Sequence, residues 1–212
     1  MLVGFPDQRP GGLLLSGAFA VMAFGGAVIV GYGYAIVCGV LPRVSLALQG
    51  VLAALRGIPL LLLIFFVAQT TTLPLVGAGG LAILIYAVSH IGEVLRSYRT
   101  AYPSVLAEQS RVLGMSRVRE EISLRAQWTF LRSMDALGTH AISLLKDTGA
   151  LTIVGIAELT TIARSLGAGA SLERWVVTVS TAAALYLAAT LALIAGIRLL
   201  TTMVGQRGER LL

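Results

Sequence analysis

Three ionisable side chains that could contact a polar solute lie within an apolar stretch of the chain. Lys146 and Asp147 are adjacent, and His140 precedes Asp147 by two helical turns. Adjacent helix positions point about 100° apart, so Lys146 and Asp147 each need a separate partner. We predict that one of the two lines a translocation path or a seam between subunits, and that His140 lines the same cavity. Alternatively, Asp147 ends a helix in a hydrated position and His140 is a packed neutral histidine.

The sequence carries no motif for covalent chemistry. Lys146 is the only lysine, and the glycines of a phosphate-binding loop do not precede it, so we expect no ATP hydrolysis by this chain. One cysteine, Cys38, and two histidines are too few for a disulfide or a Cys-based zinc site. We therefore expect no catalytic residue, no cofactor and no metal. Cys38 is expected to be a buried apolar side chain or a site of lipid attachment.

The composition predicts an all-α membrane protein. Of the 212 residues, 57% are hydrophobic and 12% are charged, and the mean hydropathy is +0.87. No charge occurs between Arg9 and Arg43 or between Arg56 and Glu93, and each gap exceeds the ~20 residues that span a bilayer. Thr70 to Thr72, Pro74 and nearby glycines divide the second gap. We predict five membrane-spanning helices, at about 13–41, 55–73, 79–98, 133–154 and 175–203, with Arg56 near the interface or paired inside the bundle.

The distribution of basic residues predicts the orientation of these helices. With the amino terminus outside, nine basic residues fall on the inner side and three on the outer side. The inner nine are Arg43, Arg99, Arg111, Arg117, Arg119, Arg125, Arg132, Arg207 and Arg210, and the outer three are Arg9, Arg164 and Arg174. Positive loops stay in the cytoplasm, so we predict a periplasmic amino terminus and a cytoplasmic carboxyl terminus. The cytoplasmic basic residues then account for the net charge of +6, and we expect no nucleic-acid partner.

A cytoplasmic loop at 99–132 interrupts the apolar segments. Apolar residues recur among its charges, Gly114 is suited to a left-handed turn, and Ser116 is suited to capping the helix that follows. The pattern predicts two helices joined at Gly114. Such a hairpin fits a groove on another protein, and the alternative is an amphipathic hairpin lying on the membrane surface. On the outer side, 155–174 predicts an amphipathic helix and loop, whose Glu158 and Arg164 we expect to steady a docked partner.

Three segments of the chain resemble one protein family. The loop segment with Glu93, Pro103, Glu108, Leu113 and Gly114 resembles the coupling loop of ABC importer permeases, whose usual form is Glu-Ala-Ala-x-x-x-Gly. Arg56-Gly57-Ile58-Pro59-Leu60-Leu61 and Ile142-Ser143-Leu144-Leu145-Lys146-Asp147-Thr148 are similar to two further motifs of the polar amino acid branch, and Gly155-Ile156-Ala157-Glu158-Leu159 follows in the same order. Gln109, Ser110, Ile58 and Gln127 depart from the usual pattern.

The resemblance implies a function and a set of partners. It implies that 1–212 is one permease domain in the bacterial inner membrane, importing polar amino acids with energy from a separate ATPase. The ATPase would contact Glu108, Arg111, Leu113, Gly114, Ser116 and Arg117. It also implies a periplasmic or surface-anchored binding protein and a second permease subunit, identical or different, and the departures in the loop favour a different one.

Two other classes of protein are compatible with a multi-span chain. A secondary transporter or channel would act alone, but we see neither inverted repeats nor paired broken helices in the sequence. A membrane-anchored scaffold would not need Lys146 and Asp147 within a span.

Overall fold

The computed structural model describes residues 11–208, and these form helices without a strand. The first five helices are α1 Gly12–Val40, α2 Pro42–Gly57, α3 Leu60–Thr70, α4 Leu75–Thr100 and α5 Ser104–Val112. A short α6, Arg117–Glu120, continues through a π-helical turn, Glu121–Arg125, into α7, Ala126–Asp147. The 3-10 helix Thr148–Val154, α8 Leu159–Gly167 and α9 Leu172–Gly208 complete the fold. Arg9 and Arg210 lie outside the described residues.

The helices confirm an all-α, membrane-embedded protein. Within 11–208, α1, α4 and α9 are each long and apolar enough to cross a membrane. Two bent pairs, α2 with α3 and the segment 117–154 with α8, raise this number to as many as five if each pair counts as one span. The amphipathic helix expected in 155–174 is α8, which is the last part of the second bent pair.

The second predicted span is not one straight helix. The axes of α2 and α3 differ by 104°, and the break falls at Ile58 and Pro59, where Ile58 is extended with φ −84° and ψ 122°. Pro59 lacks an N–H and disfavours the helical conformation of the residue before it. The apolar helix α3 therefore has only 11 residues.

No helix begins near 133, where the fourth predicted span was expected to start. The chain stays helical from Arg117 to Asp147, and the backbone at Glu121 and at Ala126 is ordinary right-handed helix. No proline or glycine occurs between Arg117 and Leu137, so nothing ends the helix there. The second helix of the loop and the fourth span form one continuous rod.

Small residues allow α1 and α4 to pack closely. A Cβ added at Gly31 would lie 2.8 Å from the Cα of Gly92. The surrounding core includes Ala27, Ala82 and Ile91, none of which is exposed. Cys38 is buried in a small cluster with Tyr34 and Leu52, as expected of an apolar side chain.

Candidate functional site

The predicted turn at Gly114 is present and has defined hydrogen bonds. Gly114 has φ +70°, its N–H donates to the Arg111 carbonyl at 2.9 Å, and the Met115 N–H donates to the Ser110 carbonyl at 2.9 Å. These bonds satisfy carbonyls at the end of α5, in the pattern of a Schellman motif. Ser116 caps α6, because its hydroxyl accepts from the Arg119 N–H at 3.3 Å. The hairpin geometry predicted for the loop is therefore confirmed.

The six residues predicted to contact an ATPase all lie on the surface of this hairpin. Exposed side chains or backbone are found at Glu108, Arg111, Leu113, Gly114, Ser116 and Arg117. Apolar side chains beside them are also exposed, with Val112 at 88% and Leu113 at 79%. We refer to the surface formed by these six residues and Val112 as the hairpin tip. Apolar groups at the tip lose their contact with water only if another molecule covers them.

The base of the hairpin is fixed to the rest of the fold. The ring of Tyr102 packs edge-on against Trp128 of α7, with centroids 5.7 Å apart. The Arg125 guanidinium lies 4.7 Å from the Tyr102 ring centroid and donates to Glu120 Oε1 at 3.0 Å. Burial raises the pKa of the Tyr102 hydroxyl, and the nearby Glu120 carboxylate acts in the same direction. These contacts thus fix the base of the hairpin to α7 and to the helical turn before it.

An ion pair connects this base to two spans. Arg99, at the end of α4, donates from Nε and Nη2 to the two carboxylate oxygens of Glu121, and both distances are 2.8 Å. The Tyr32 hydroxyl of α1 donates to Glu121 Oε1 at 2.9 Å. Burial alone would raise the pKa of the Glu121 carboxyl, but the bonds from Arg99 and Tyr32 hold it below its usual value. Glu121 therefore joins α1, α4 and the start of the rod that contains α7.

A second polar link joins α2 to α4 at the break before α3. Arg56 Nη1 donates to the Ser89 carbonyl at 3.0 Å and lies 3.8 Å from Glu93 Oε2. Glu93 also pairs with Arg96 and accepts from the Tyr34 hydroxyl at 3.4 Å. Arg56 is thus paired inside the bundle, which was one of the two positions expected for it.

A small polar pocket lies between α4 and α7. Its volume is about 130 Å³, and its polar lining consists of Tyr86, His90, His140, Ser143 and Asp147. The ring centroids of His90 and His140 lie 6.0 Å apart, and those of Tyr86 and His90 lie 4.4 Å apart with the two rings tilted by 44°. His90 Nδ1 is within hydrogen-bond distance of the Tyr86 carbonyl and of the Ser89 hydroxyl, at 3.0 Å and 3.1 Å. The pocket brings together a carboxylate, two imidazoles and two hydroxyls.

Only two of the three residues predicted for a path meet in this pocket. His140 and Asp147 line it and are half-buried, whereas Lys146 is exposed and lies outside its lining. Sequence reasoning missed His90, which is 50 positions from His140. Its signal was available, because His90 is the other histidine of the chain and falls within a predicted span.

Glu158 does not lie on a docking surface, so the expectation for this residue is wrong. It is fully buried, caps α8 by accepting from the Thr160 and Thr161 N–H groups at 2.9 and 2.7 Å, and accepts from the Tyr186 hydroxyl at 2.9 Å. A buried carboxylate needs such donors, and here α8 and α9 supply them. Arg164 is exposed, at 3.4 Å from the Thr152 hydroxyl.

Solved structures share this fold, although no family model matches the chain and no curated protein matches it. A crystal structure described as an amino acid ABC transporter with histidines aligns with a TM-score of 0.76 at 22% identity, covering 91% of this chain and 92% of that chain. Two inward-facing crystal forms of the MetNI methionine ABC transporter align with TM-scores of 0.74 and 0.77, at 17% and 14% identity, covering 91% of this chain and 94% of each. The chain therefore has the fold of the permease subunits of ABC transporters.

Proposed function

We propose that this chain is the membrane-spanning subunit of an ATP-binding cassette importer that moves polar amino acids or similar small solutes across the bacterial inner membrane. The observation that carries the proposal is the hairpin tip, which presents Val112 and Leu113 almost fully exposed on a rigid base. The fold shared with ABC transporter permeases supports it. The whole chain, 1–212, then acts as one permease domain with its coupling loop at 99–132.

The hairpin tip has the chemistry of a protein-docking surface. Two apolar side chains are flanked by Glu108, Arg111 and Arg117, so an apolar centre is surrounded by charges of both signs. Protein interfaces combine an apolar core with a polar rim in this way. We assign the partner as a separate ATPase subunit, with Gly114 and Ser116 fixing the angle between the two helices that contact it.

The continuous rod from Arg117 to Asp147 supports a coupling mechanism. A displacement of the hairpin moves α7 as a rigid body, because the helix has no break between its loop end and the polar pocket. Closure of the ATPase pair on ATP would push the hairpin, rotate α7 and switch the path from inward to outward facing. This chain contributes motion and binding, and no covalent step.

The polar pocket is the proposed contact site for the solute. An amino acid carries an ammonium group and a carboxylate, for which Asp147 and the imidazoles of His90 and His140 are suitable partners. Lys146 lies outside the pocket, and we place it at the outer surface or at the seam with the second permease. Of the adjacent pair, Asp147 is therefore our candidate for the path.

Two further partners belong to this proposal. A second permease subunit, different from this one, would complete the path, and a periplasmic or surface-anchored binding protein would deliver the solute from the side opposite the hairpin.

Co-purification with the ATPase tests the proposal. Leu113→Asp should remove the ATPase from the affinity-purified complex, because a charge replaces an apolar group at the tip. The matched control is Leu172→Asp, since Leu172 is equally exposed, at 77%, at the start of α9. An ATPase that stays bound to Leu113→Asp, or that never co-purifies with the unmodified chain, would contradict the proposal.

A further inference from the structure

A basic cavity lies between the hairpin and the end of α1. Its volume is about 670 Å³, and four arginines in its lining outnumber two glutamates. These charged residues are Arg99, Arg111, Arg117, Arg125, Glu120 and Glu121. Ile36 and Val40 of α1 and Ile122 of the π-helical turn form apolar walls beside them. The cavity therefore combines positive charge with an apolar surface.

The positive charge of the cavity comes from two of its arginines. Arg99 and Arg125 are paired with Glu121 and Glu120, at 2.8 Å and 3.0 Å. Arg111 and Arg117 are exposed, and no acidic side chain in the described part of the chain forms an ion pair with either. Two guanidinium groups are thus available to an anion.

An apolar groove of about 540 Å³ continues from this cavity along the same helix. It lies between α1, α7 and α9 and is lined by apolar residues, among them Phe24, Val28 and Met134. Positions 20, 24, 28, 32, 36 and 40 form one ridge of α1, because residues four apart are neighbours on a helix. The first three line the apolar groove, and the last two line the basic cavity. Tyr32, between them, packs on Phe130 of the groove and bonds to Glu121 of the cavity.

We propose that this ridge binds an anionic phospholipid from the leaflet next to the hairpin. Arg111 and Arg117 hold the phosphate, and an acyl chain lies in the apolar groove. Val28 and Ile36 are about 12 Å apart along the helix, which is within the reach of a glycerol backbone and the first part of an acyl chain. Basic pockets between spans on the cytoplasmic side of a membrane recognise anionic head groups. This site rests on the proposed function for the cytoplasmic position of the hairpin. Arg111 and Arg117 line the cavity and also belong to the hairpin tip, so they would contact both the lipid and the ATPase.

Lipid retention by the purified full-length chain tests this site. The protein is exchanged into detergent with equal amounts of phosphatidylglycerol and phosphatidylcholine, and bound lipid is counted by native mass spectrometry. We expect retention of phosphatidylglycerol over phosphatidylcholine, and a loss of roughly tenfold in that preference for the double variant Arg111→Gln/Arg117→Gln. Arg119→Gln is the matched control, because Arg119 is exposed in the same loop but does not line the cavity.

A second variant avoids the hairpin altogether. Val40→Glu places a carboxylate at the cavity wall, and the exposed position of Val40 tolerates a larger side chain. It should lower phosphatidylglycerol retention while the ATPase remains bound. Three outcomes would each overturn the proposal. They are equal retention of the two lipids, unchanged retention in both variants, and displacement of the lipid by soluble glycerol phosphate. If the chain retains phosphatidylglycerol but no ATPase ever co-purifies with it, the importer is contradicted and this lipid site is supported.

Discussion

Arg99 donates two parallel hydrogen bonds of 2.8 Å to the carboxylate of Glu121, 22 positions later in the chain. Only 7% of the Arg99 side chain and 18% of the Glu121 side chain are exposed. The pair joins the end of α4 to the rod that carries α7. A displacement of the hairpin would therefore be transmitted to both α4 and α7.

Removing one partner of this pair should destabilise the fold. Arg99→Met leaves the Glu121 carboxylate buried with only the Tyr32 hydroxyl and the more distant Arg125, at a cost of about 3 kcal/mol. Unfolding by SDS titration in mixed micelles measures this change. Arg119→Met, at an exposed position, is the control and should be nearly neutral. Equal stabilities for the two variants would show that the pair contributes nothing.

The contribution of Glu121 should depend on pH. Its pKa is lowered in the folded protein from the ordinary 4.5, so its ion pair stabilises the fold at pH values above 4.5. That stabilisation is lost as the pH falls through the lowered pKa, because the carboxyl becomes protonated. The melting temperatures of the unmodified protein and of Glu121→Gln should thus converge as the pH falls below 4.5. A constant difference down to the lowest tolerated pH would contradict the assignment.

Gly114→Val should weaken the coupling of transport to ATP hydrolysis. A β-branched residue at φ +70° costs about 1–2 kcal/mol or more, which shifts the hairpin out of its turn. Transport and ATPase binding are both measured on reconstituted complexes. Gly50→Val is the control, because Gly50 lies within α2 with open space around it. If Gly114→Val transports normally with its ATPase bound, the hairpin is not the coupling element.

Asp147→Asn should lower transport per assembled complex by roughly tenfold, which corresponds to about 1.4 kcal/mol. The amide cannot offer the charge that a solute ammonium group needs in a half-buried pocket. Lys146→Met tests the adjacent residue, whose exposed side chain lies outside the pocket and whose loss should change transport less. Unchanged transport per assembled complex in Asp147→Asn, with any loss of total transport explained by lower amounts of folded protein, would remove Asp147 from the path.

The orientation of the chain can be tested with reporters. A reporter fused after Gly205 should be cytoplasmic and one fused before Gly11 external, because nine basic residues fall on one side against three on the other. Activity of both reporters on the same side would require an even number of spans. That result would refute the five-span fold.

Local signals in the sequence were sufficient for much of this fold. Gaps between charges located the apolar helices, and Gly114 and Ser116 predicted the turn and the cap of the hairpin. The bend at Pro59 was missed because an apolar segment was treated as one span despite its proline. The sequence pattern alone does not distinguish a buried cap such as Glu158 from an exposed one.

The contacts of the candidate site depend on tertiary packing. Tyr32 and Glu121 are 89 positions apart, and no periodicity relates them. His90 and His140 meet only because α4 and α7 run side by side with a defined register. Sequence reasoning found His140 and Asp147 from their charge in an apolar segment, but it could not show that Lys146 lies outside the pocket.

The break between α2 and α3 lies beside the middle of α4. Arg56, just before the break, contacts Ser89, which lies about 16 Å along α4 from Thr100. The 11 residues of α3 cover about another 16 Å, so with Thr100 taken as the inner edge of the membrane the break falls near half the thickness of a ~30 Å hydrocarbon core. Irregular backbone at that depth persists only against protein or water. In an importer, water would then reach halfway into the membrane from the hairpin side. The low-dielectric region that a polar solute must cross would be limited to the outer half of the membrane, beside α3.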